Sequence, residues 1–257
     1  MYLRTREQSG NTGVTVHPND WFRTRSHLGL EQATSPPEVK LRYFTCSDSD
    51  RSEVERRVLQ MSVPKNVLRE AVKTAASNAV AWLWNAAGAL QISPREPRTR
   101  ELFCQAFGTY PEFVGWKPAN AKWIDRGDLV AIRLRSAAKI LYGGWIRYFC
   151  WGRPKYCPEC TQQPPTYFAC SSWGKRYVIC LGPGFWEAWQ KRDHATMAST
   201  LLHEALHIYF GTLIGNGMRG GRYGNANCYE RFVMEFNGLY LHPATDAACA
   251  KFTALCK

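Results

Sequence analysis

The chain has 257 residues, of which 45% are hydrophobic, so it is long enough to bury a substantial core on its own. Its 33 Lys and Arg against 21 Asp and Glu give a formal net charge of +12, but the basic residues are scattered and no nucleic-acid-binding motif accompanies them. We therefore expect no nucleic-acid partner. No run approaches the roughly 18 apolar residues of a membrane-spanning helix, and we expect no membrane span.

Residues 1–40 are polar and rich in turn formers, which indicates a loosely packed N-terminal arm. No internal repeat or linker interrupts residues 41–257, which predicts a single domain there. A first helix is expected in "RSEVERRVLQM", capped by one of the three residues Ser47, Asp48 and Ser49.

Further helices follow in the first half of the chain. Pro64 marks the start of a long amphipathic helix that we expect to end near Gly88, because apolar residues recur there at helical spacing: Leu68, Val72, Ala75, Ala79 and Leu83. "TRELFCQAFG" and "RGDLVAIRLRSAAKILYGG" predict two more helices, each closed by glycine.

The middle of the chain changes character. "WIRYFC", "TYFAC" and "RYVICL" are short, aromatic or β-branched, and separated by turn residues, which predicts a small antiparallel sheet. Helices are then expected in "HATMASTLLHEALHIYF", capped by Asp193, in "NANCYERFVMEFNGLYL", and in "ATDAACAKFTALC".

The stretch "TLLHEALH" contains a motif with chemical meaning. On a helix, His203 and His207 lie on one face, so both imidazoles can bind one Zn²⁺ ion, while Glu204 can reach a water bound to that ion. Zinc hydrolases use this spacing because the ion acidifies the water and the glutamate takes its proton. The preceding "RYVICL" strand is expected to hold an extended substrate beside the metal, and the glycines after the helix can turn the chain back towards it.

Several short motifs in order resemble the deuterolysin and lysine-specific metallo-endopeptidase family, the aspzincins. They are "FTCSDSD", "FG" at 107–108, "YFACSSWGKRYVICLGPGFW", "TLLHEALH" and "NANCYERF". The resemblance implies an α+β zincin-like metallopeptidase fold, mainly helical, with His203 and His207 as ligands and Glu204 as general base. It also implies that Tyr223 stabilises the tetrahedral intermediate and that Glu230 lines the pocket for the residue after the scissile bond, often lysine.

The chain departs from this family at the third metal ligand. The family has an aspartate in Gly-Thr-x-Asp-x-x-Tyr-Gly, whereas this chain has "GTLIGNGMRGGRYG", with Gly220 three residues before Tyr223. A second acidic pocket position is replaced by the neutral Asn227.

Few residues can replace that aspartate. Between His207 and Asp246 the only carboxylates are Glu230 and Glu235, and five residues of helix turn Glu235 about 140° away from Glu230. We therefore predict Glu230 as the third zinc ligand. The alternative is that Glu230 is a pocket or outer carboxylate, with the ion completed by one of three other residues: Tyr223, Cys228 or His242.

Ten cysteines are many for a cytosolic protein of this size. "CPEC", with Cys170 and Cys180, could form a second, structural zinc site. The family resemblance favours disulfides instead, with Cys180 bonded to Cys157 or Cys160, and Cys46 bonded within the 150–160 region. Near the C-terminus, Cys249 and Cys256 fit packed thiols as well as linked ones.

The sequence thus predicts a zinc metalloendopeptidase in which Glu204 is the general base and Tyr223, or a basic neighbour such as Arg222, steadies the oxyanion. The competing class is a binding or toxin-targeting module that keeps a metal for structure only. We expect a secreted or periplasmic protein, exported without a recognisable signal peptide because the first 20 residues lack an apolar segment. By analogy, a bacterial effector or toxin that cuts a protein or peptide substrate, and that has a cognate inhibitor or immunity protein, would fit.

Overall fold

The computed structural model describes residues 35–116, 124–152, 157–158, 160, 166–171, 177–214, 221–240 and 249, without the side chains of 115–116, 211–214 and 221–222. Seven helices are present in this part of the chain: α1 (Asp48–Val54), α2 (Lys65–Gln91), α3 (Pro97–Phe107), α4 (Arg126–Tyr142), α5 (Pro183–Gln190), α6 (His194–Ile214) and α7 (Ala226–Phe236). The strands are β1 (Tyr43–Thr45), β2 (Val114–Trp116), β3 (Ile124–Asp125), β4 (Arg147–Phe149), β5 (Ala169–Ser171) and β6 (Val178–Leu181).

Helix boundaries follow the predicted caps. The Ser47 hydroxyl accepts a hydrogen bond from the Asp50 N–H at the start of α1, and Asp193 accepts one from the Thr196 N–H at the start of α6. Gly108 ends α3 in the left-handed region, with φ of 71°, where a side chain would be strained. A π-helical turn, Glu55–Leu59, follows α1 and was not predicted.

The core lies between the helices. All five residues that predicted the α2 face are buried: Leu68, Val72, Ala75, Ala79 and Leu83. α2 extends three residues past Gly88, because the buried Leu90 continues the same apolar face. α2 packs against α4 and α6, and α7 packs against α3 and α6. α6, which carries the histidine motif, is therefore enclosed on several sides.

The prediction that the strands of the sheet are antiparallel is wrong for most of the sheet. The four strands have the order β1-β4-β6-β5, with β1–β4 and β4–β6 parallel and only β5–β6 antiparallel. Helices α1 to α4 lie between β1 and β4, and such a long crossover lets the chain return in the same direction. A separate antiparallel pair, β2–β3, lies beside α4. The fold is thus mixed α/β, mainly helical, with one small and mostly parallel sheet.

Disulfides cross-link the sheet and helix α7. Cys46–Cys150 joins the ends of β1 and β4, as predicted, and Cys157–Cys180 confirms the predicted partner set for Cys180. Two further pairs are Cys160–Cys170 and Cys228–Cys249, so Cys249 is linked rather than a packed thiol. Cys104 is also disulfide-bonded.

Other predictions fall on parts of the chain that the structure leaves undescribed. Most of the 1–40 arm and nearly all of the last predicted helix lie outside the described residues, so the division of the chain into arm and domain stays a prediction. Val39 and Leu41, at the predicted boundary, are buried in the core. Within the described residues, no helix is both long enough and apolar enough to cross a bilayer.

Candidate metal and catalytic site

Helix α6 brings the two histidines of the motif together. Their Nε2 atoms lie 2.8 Å apart and their ring centroids 4.5 Å apart, one turn along the helix. Two imidazole nitrogens bound to one tetrahedral Zn²⁺ at about 2.0–2.1 Å would lie roughly 3.3 Å apart. A small separation of the rings would therefore let His203 and His207 bind the same ion.

Glu230 contacts the Nδ1 side of the His203 ring. Helix α7 is capped by Asn225, whose side chain accepts from the Asn227 N–H. The helix packs on α6 so that Glu230 Oε2 lies 2.8 Å from Nδ1 of His203. Residue Glu230 is buried, with 5% of its surface exposed. It accepts the Nδ1–H, which leaves Nε2 of His203 directed at His207.

Glu204 faces the sheet. Its carboxylate accepts hydrogen bonds from the main-chain N–H and the hydroxyl of Ser171, the last residue of β5. Glu204 is buried, with 7% of its surface exposed. Burial raises the pKa of Glu204, although His203 and the two Ser171 donors oppose this effect. A buried carboxylate beside two histidines is the kind of group that a general base requires.

The two histidines differ electrostatically. Burial, together with the neighbouring His203, lowers the pKa of His207 to about 3, so this ring is neutral and offers a lone pair. For His203, burial acts to lower the pKa, but the hydrogen bond and charge of Glu230 outweigh it and the pKa is raised. These opposite directions follow from a carboxylate that touches only one of the two rings.

The third ligand is not decided by this geometry. Among the described residues, the one set of three His, Cys, Asp or Glu ligand atoms within 4.8 Å of one another is Cys157, Cys160 and Cys180. Glu230 contacts His203 through Nδ1 and does not complete such a set with both histidines. The prediction that Glu230 binds the metal therefore stays a prediction.

The alternative ligands fare differently. Cys228 is bonded to Cys249, so it offers no thiolate while that bond is intact. The hydroxyl of Tyr223 lies 2.6 Å from Oγ1 of Thr109. His242 and residues 215–220, the stretch where the family has its aspartate, lie outside the described residues.

Tyr223 is firmly packed. Its ring stacks on Phe107 with centroids 5.3 Å apart, and the guanidinium of Arg126 lies 4.6 Å from the ring centroid. Its carbonyl oxygen accepts from the buried guanidinium of Arg133, while its hydroxyl bonds to Thr109. The side chain of Arg222, its basic neighbour, is outside the described set.

The strand beside the site is not the predicted one. "RYVICL" forms β6, which is paired on both edges and buried along its length, so it has no free edge for a substrate. Of the two edge strands, β1 and β5, it is β5 that contacts α6 and carries Ser171. The sequence missed Ser171 because the contact with Glu204 joins residues 33 positions apart, and no local pattern marks it.

The chain matches no family model, no curated protein and no solved structure with which it was compared. Any assignment of function depends on the geometry of α6, α7 and β5. The disulfides, for their part, are compatible with an oxidising compartment.

Proposed function

We propose that this chain is a zinc-dependent endopeptidase whose metal is held by His203 and His207. One observation carries the proposal: the Nε2 atoms of these residues lie 2.8 Å apart beside the buried carboxylate of Glu204. Two converging imidazoles and an adjacent buried base are the residue types that zinc hydrolysis of a peptide bond requires. The residues therefore fit a zinc ion, with the third ligand still to be found.

The arrangement around α6 supports a zincin-like fold. β5 is antiparallel to its neighbour, lies at the edge of an otherwise parallel sheet and contacts α6. Among the described residues no strand pairs with the outer edge of β5, and main-chain groups on such an edge, other than the Ser171 N–H that donates to Glu204, can bind an extended peptide by strand addition. The substrate would then lie along β5, next to the carboxylate of Glu204.

Each residue has a defined task in the proposed reaction. A bound Zn²⁺ would supply Lewis acidity and an acidified water. Glu204 takes a proton from the attacking water and returns it to the leaving amine nitrogen, and burial and the Ser171 donors keep the carboxylate in place between these steps. Tyr223 would donate to the developing oxyanion, for which its hydroxyl must exchange Thr109 for the substrate.

We assign Glu230 the task of orienting His203. A histidine ligand is commonly fixed by a carboxylate on its second nitrogen, and Glu230 Oε2 at 2.8 Å from Nδ1 has that relation. If Glu230 were itself a ligand, it would have to release Nδ1 and move towards His207. With Glu230 in the orienting role, the third ligand would be another residue, such as His242, which lies outside the described residues.

The alternative is a module that keeps its metal for structure only. Four protein ligands would signal that role, because a catalytic zinc keeps one position open for water. The burial of an ionisable Glu204 beside the histidines favours the catalytic role, since a structural site has no use for a base there.

Replacing Glu204 by Gln tests the proposal. Gln keeps the hydrogen bonds to Ser171 but accepts no proton, so zinc content should be unchanged while cleavage of a peptide library falls about 10²–10⁴-fold. Glu101→Gln, at an exposed position on α3, is the matched control and should retain activity. Equal cleavage by both variants, or no zinc in the parent protein, would remove the basis of the proposal.

The setting of the enzyme is also part of the proposal. Its substrate would be a protein or peptide, in an oxidising compartment where the disulfides persist. A secreted or periplasmic effector with a cognate inhibitor or immunity protein remains the role that we infer by analogy.

A further inference from the structure

Four cysteines meet beside the sheet, on the face of β5 opposite to Ser171. Cys157 and Cys160 belong to one short loop, in which the Cys160 N–H donates to the Cys157 carbonyl. Cys170 on β5 and Cys180 on β6 are direct cross-strand partners, so both side chains leave the same face of the hairpin. All four residues are buried, at 6% exposure or less.

Three of the four sulfur atoms form one cluster, and the fourth, of Cys170, is bonded to it through Cys160. The Sγ atoms of Cys157, Cys160 and Cys180 lie within 4.8 Å of one another, and Cys170 is bonded to Cys160. Sγ of Cys157 also lies 3.9 Å from the Cys170 carbonyl oxygen. Each loop cysteine is bonded to one strand cysteine, so the two disulfides, Cys157–Cys180 and Cys160–Cys170, share a single small volume.

We propose that these four sulfurs are a second metal site, which binds one Zn²⁺ as four thiolates when the two disulfides are reduced. Four cysteines are a preferred ligand set of structural zinc, and a Cys-x2-Cys loop is a common half of such a site. In the sequence, the nine residues between Cys170 and Cys180 are too many for the second close pair of a zinc ribbon. Strand pairing removes that objection, because it places the two cysteines opposite each other.

The surroundings suit a closed site. Phe149 and Val178 are buried with the cysteines, and Tyr167 packs against them. Apolar walls exclude water and leave no described His, Asp or Glu in the cluster, so four sulfurs would fill the coordination of zinc. The site would be structural and would hold the loop to β5 in place of the cross-links.

Electrons and protons balance when the disulfide form is converted into the zinc-bound form. Each disulfide takes two electrons and two protons from one dithiol reductant, which becomes a disulfide itself, so two dithiols yield four protein thiols. Zn²⁺ then displaces four protons as the thiolates bind it. Oxidation runs the reverse course and releases the ion. The proposal does not depend on the peptidase activity.

Cobalt provides a direct probe, because thiolate ligands give Co²⁺ a charge-transfer absorption that histidine and carboxylate ligands do not. The full chain is reduced with a dithiol, desalted without oxygen and titrated with Co²⁺, then with Zn²⁺, while circular dichroism monitors the fold. We expect the thiolate band to saturate at one Co²⁺ per chain and to vanish when Zn²⁺ replaces it. The double variant Cys160→Ser/Cys170→Ser should lose the band, and the control Cys228→Ser/Cys249→Ser should keep it.

Three results would overturn the proposal. The first is a folded, reduced chain without the thiolate band. The second is a band that survives in Cys160→Ser/Cys170→Ser. The third is a reduced parent chain that Zn²⁺ stabilises no more than it stabilises reduced Cys160→Ser/Cys170→Ser, since a tetrathiolate site would hold the loop and strands together.

Discussion

Oε2 of Glu230 lies 2.8 Å from Nδ1 of His203, across the boundary between α7 and α6. This contact fixes the plane of the imidazole, because the ring must keep Nδ1 towards the carboxylate and so points Nε2 to the opposite side. His207 lies on that side, with its own Nε2 2.8 Å away. The orientation of the proposed metal site therefore depends on a residue of a different helix.

The Glu230–His203 contact makes a quantitative prediction. If Glu230 orients His203, Glu230→Ala should weaken zinc binding about 10–100-fold, and Glu230→Gln should weaken it less, because the amide oxygen can still accept from Nδ1–H. Competition with a chelator of known affinity measures the change. Glu235→Ala, on the same helix and paired with Arg231, is the control and should bind zinc normally. Complete loss of zinc from both Glu230 variants would instead identify Glu230 as a ligand.

Ser171 links the edge strand to the proposed base. Ser171→Ala removes the hydroxyl that donates to Glu204 but keeps the main-chain N–H. Loss of one such hydrogen bond should lower peptide cleavage by up to about tenfold without altering zinc content. Ser199→Ala serves as the control, since that hydroxyl donates to the Thr196 carbonyl within α6. If both serine variants cleave equally well, β5 does not position Glu204.

Tyr223 is predicted to act on the oxyanion. Tyr223→Phe keeps the ring stacked on Phe107, so the fold should lose only about 1 kcal/mol, while the turnover number should fall about 10²-fold with KM little changed. Thr109→Val breaks the same Tyr223–Thr109 hydrogen bond but leaves the tyrosine hydroxyl. Steady-state kinetics of the two variants should therefore differ. Equal turnover numbers for the two variants would mean that Tyr223 has a packing role and does not act on the oxyanion.

The disulfides should differ in their effect on stability. Cys46–Cys150 spans 104 residues and Cys160–Cys170 spans 10, and a longer loop restricts the unfolded chain more. Cys46→Ser/Cys150→Ser should lower the free energy of unfolding by about 2–5 kcal/mol, and by roughly 2 kcal/mol more than Cys160→Ser/Cys170→Ser does. Urea denaturation of the oxidised proteins measures both. The opposite ranking would mean that loop length does not govern these cross-links.

Local chemistry in the sequence was enough to predict six of the seven described helices and several of their caps, but it did not predict α5. Ser47, Gly108 and Asp193 act within one turn of their own positions, so the caps follow from neighbouring residues alone. The same holds for His203 and His207, because four residues of helix bring two side chains to one face. The sequence also predicted that Glu230 lies on a helix and reaches the histidine motif, and its carboxylate contacts His203.

Only the tertiary structure decided the relations between distant residues. Strand direction depends on the helices α1 to α4 that separate β1 from β4, and the edge position of β5 depends on pairing that no single strand specifies. Other contacts likewise join residues from separate elements. They are the contact of Glu230 with Nδ1 of His203, the hydrogen bonds of Ser171 to Glu204, and the grouping of four cysteines around the β5–β6 hairpin. Such contacts follow from how whole helices and strands pack, because a side chain's partner across an interface is set by the positions of both backbones and not by its neighbours in the chain.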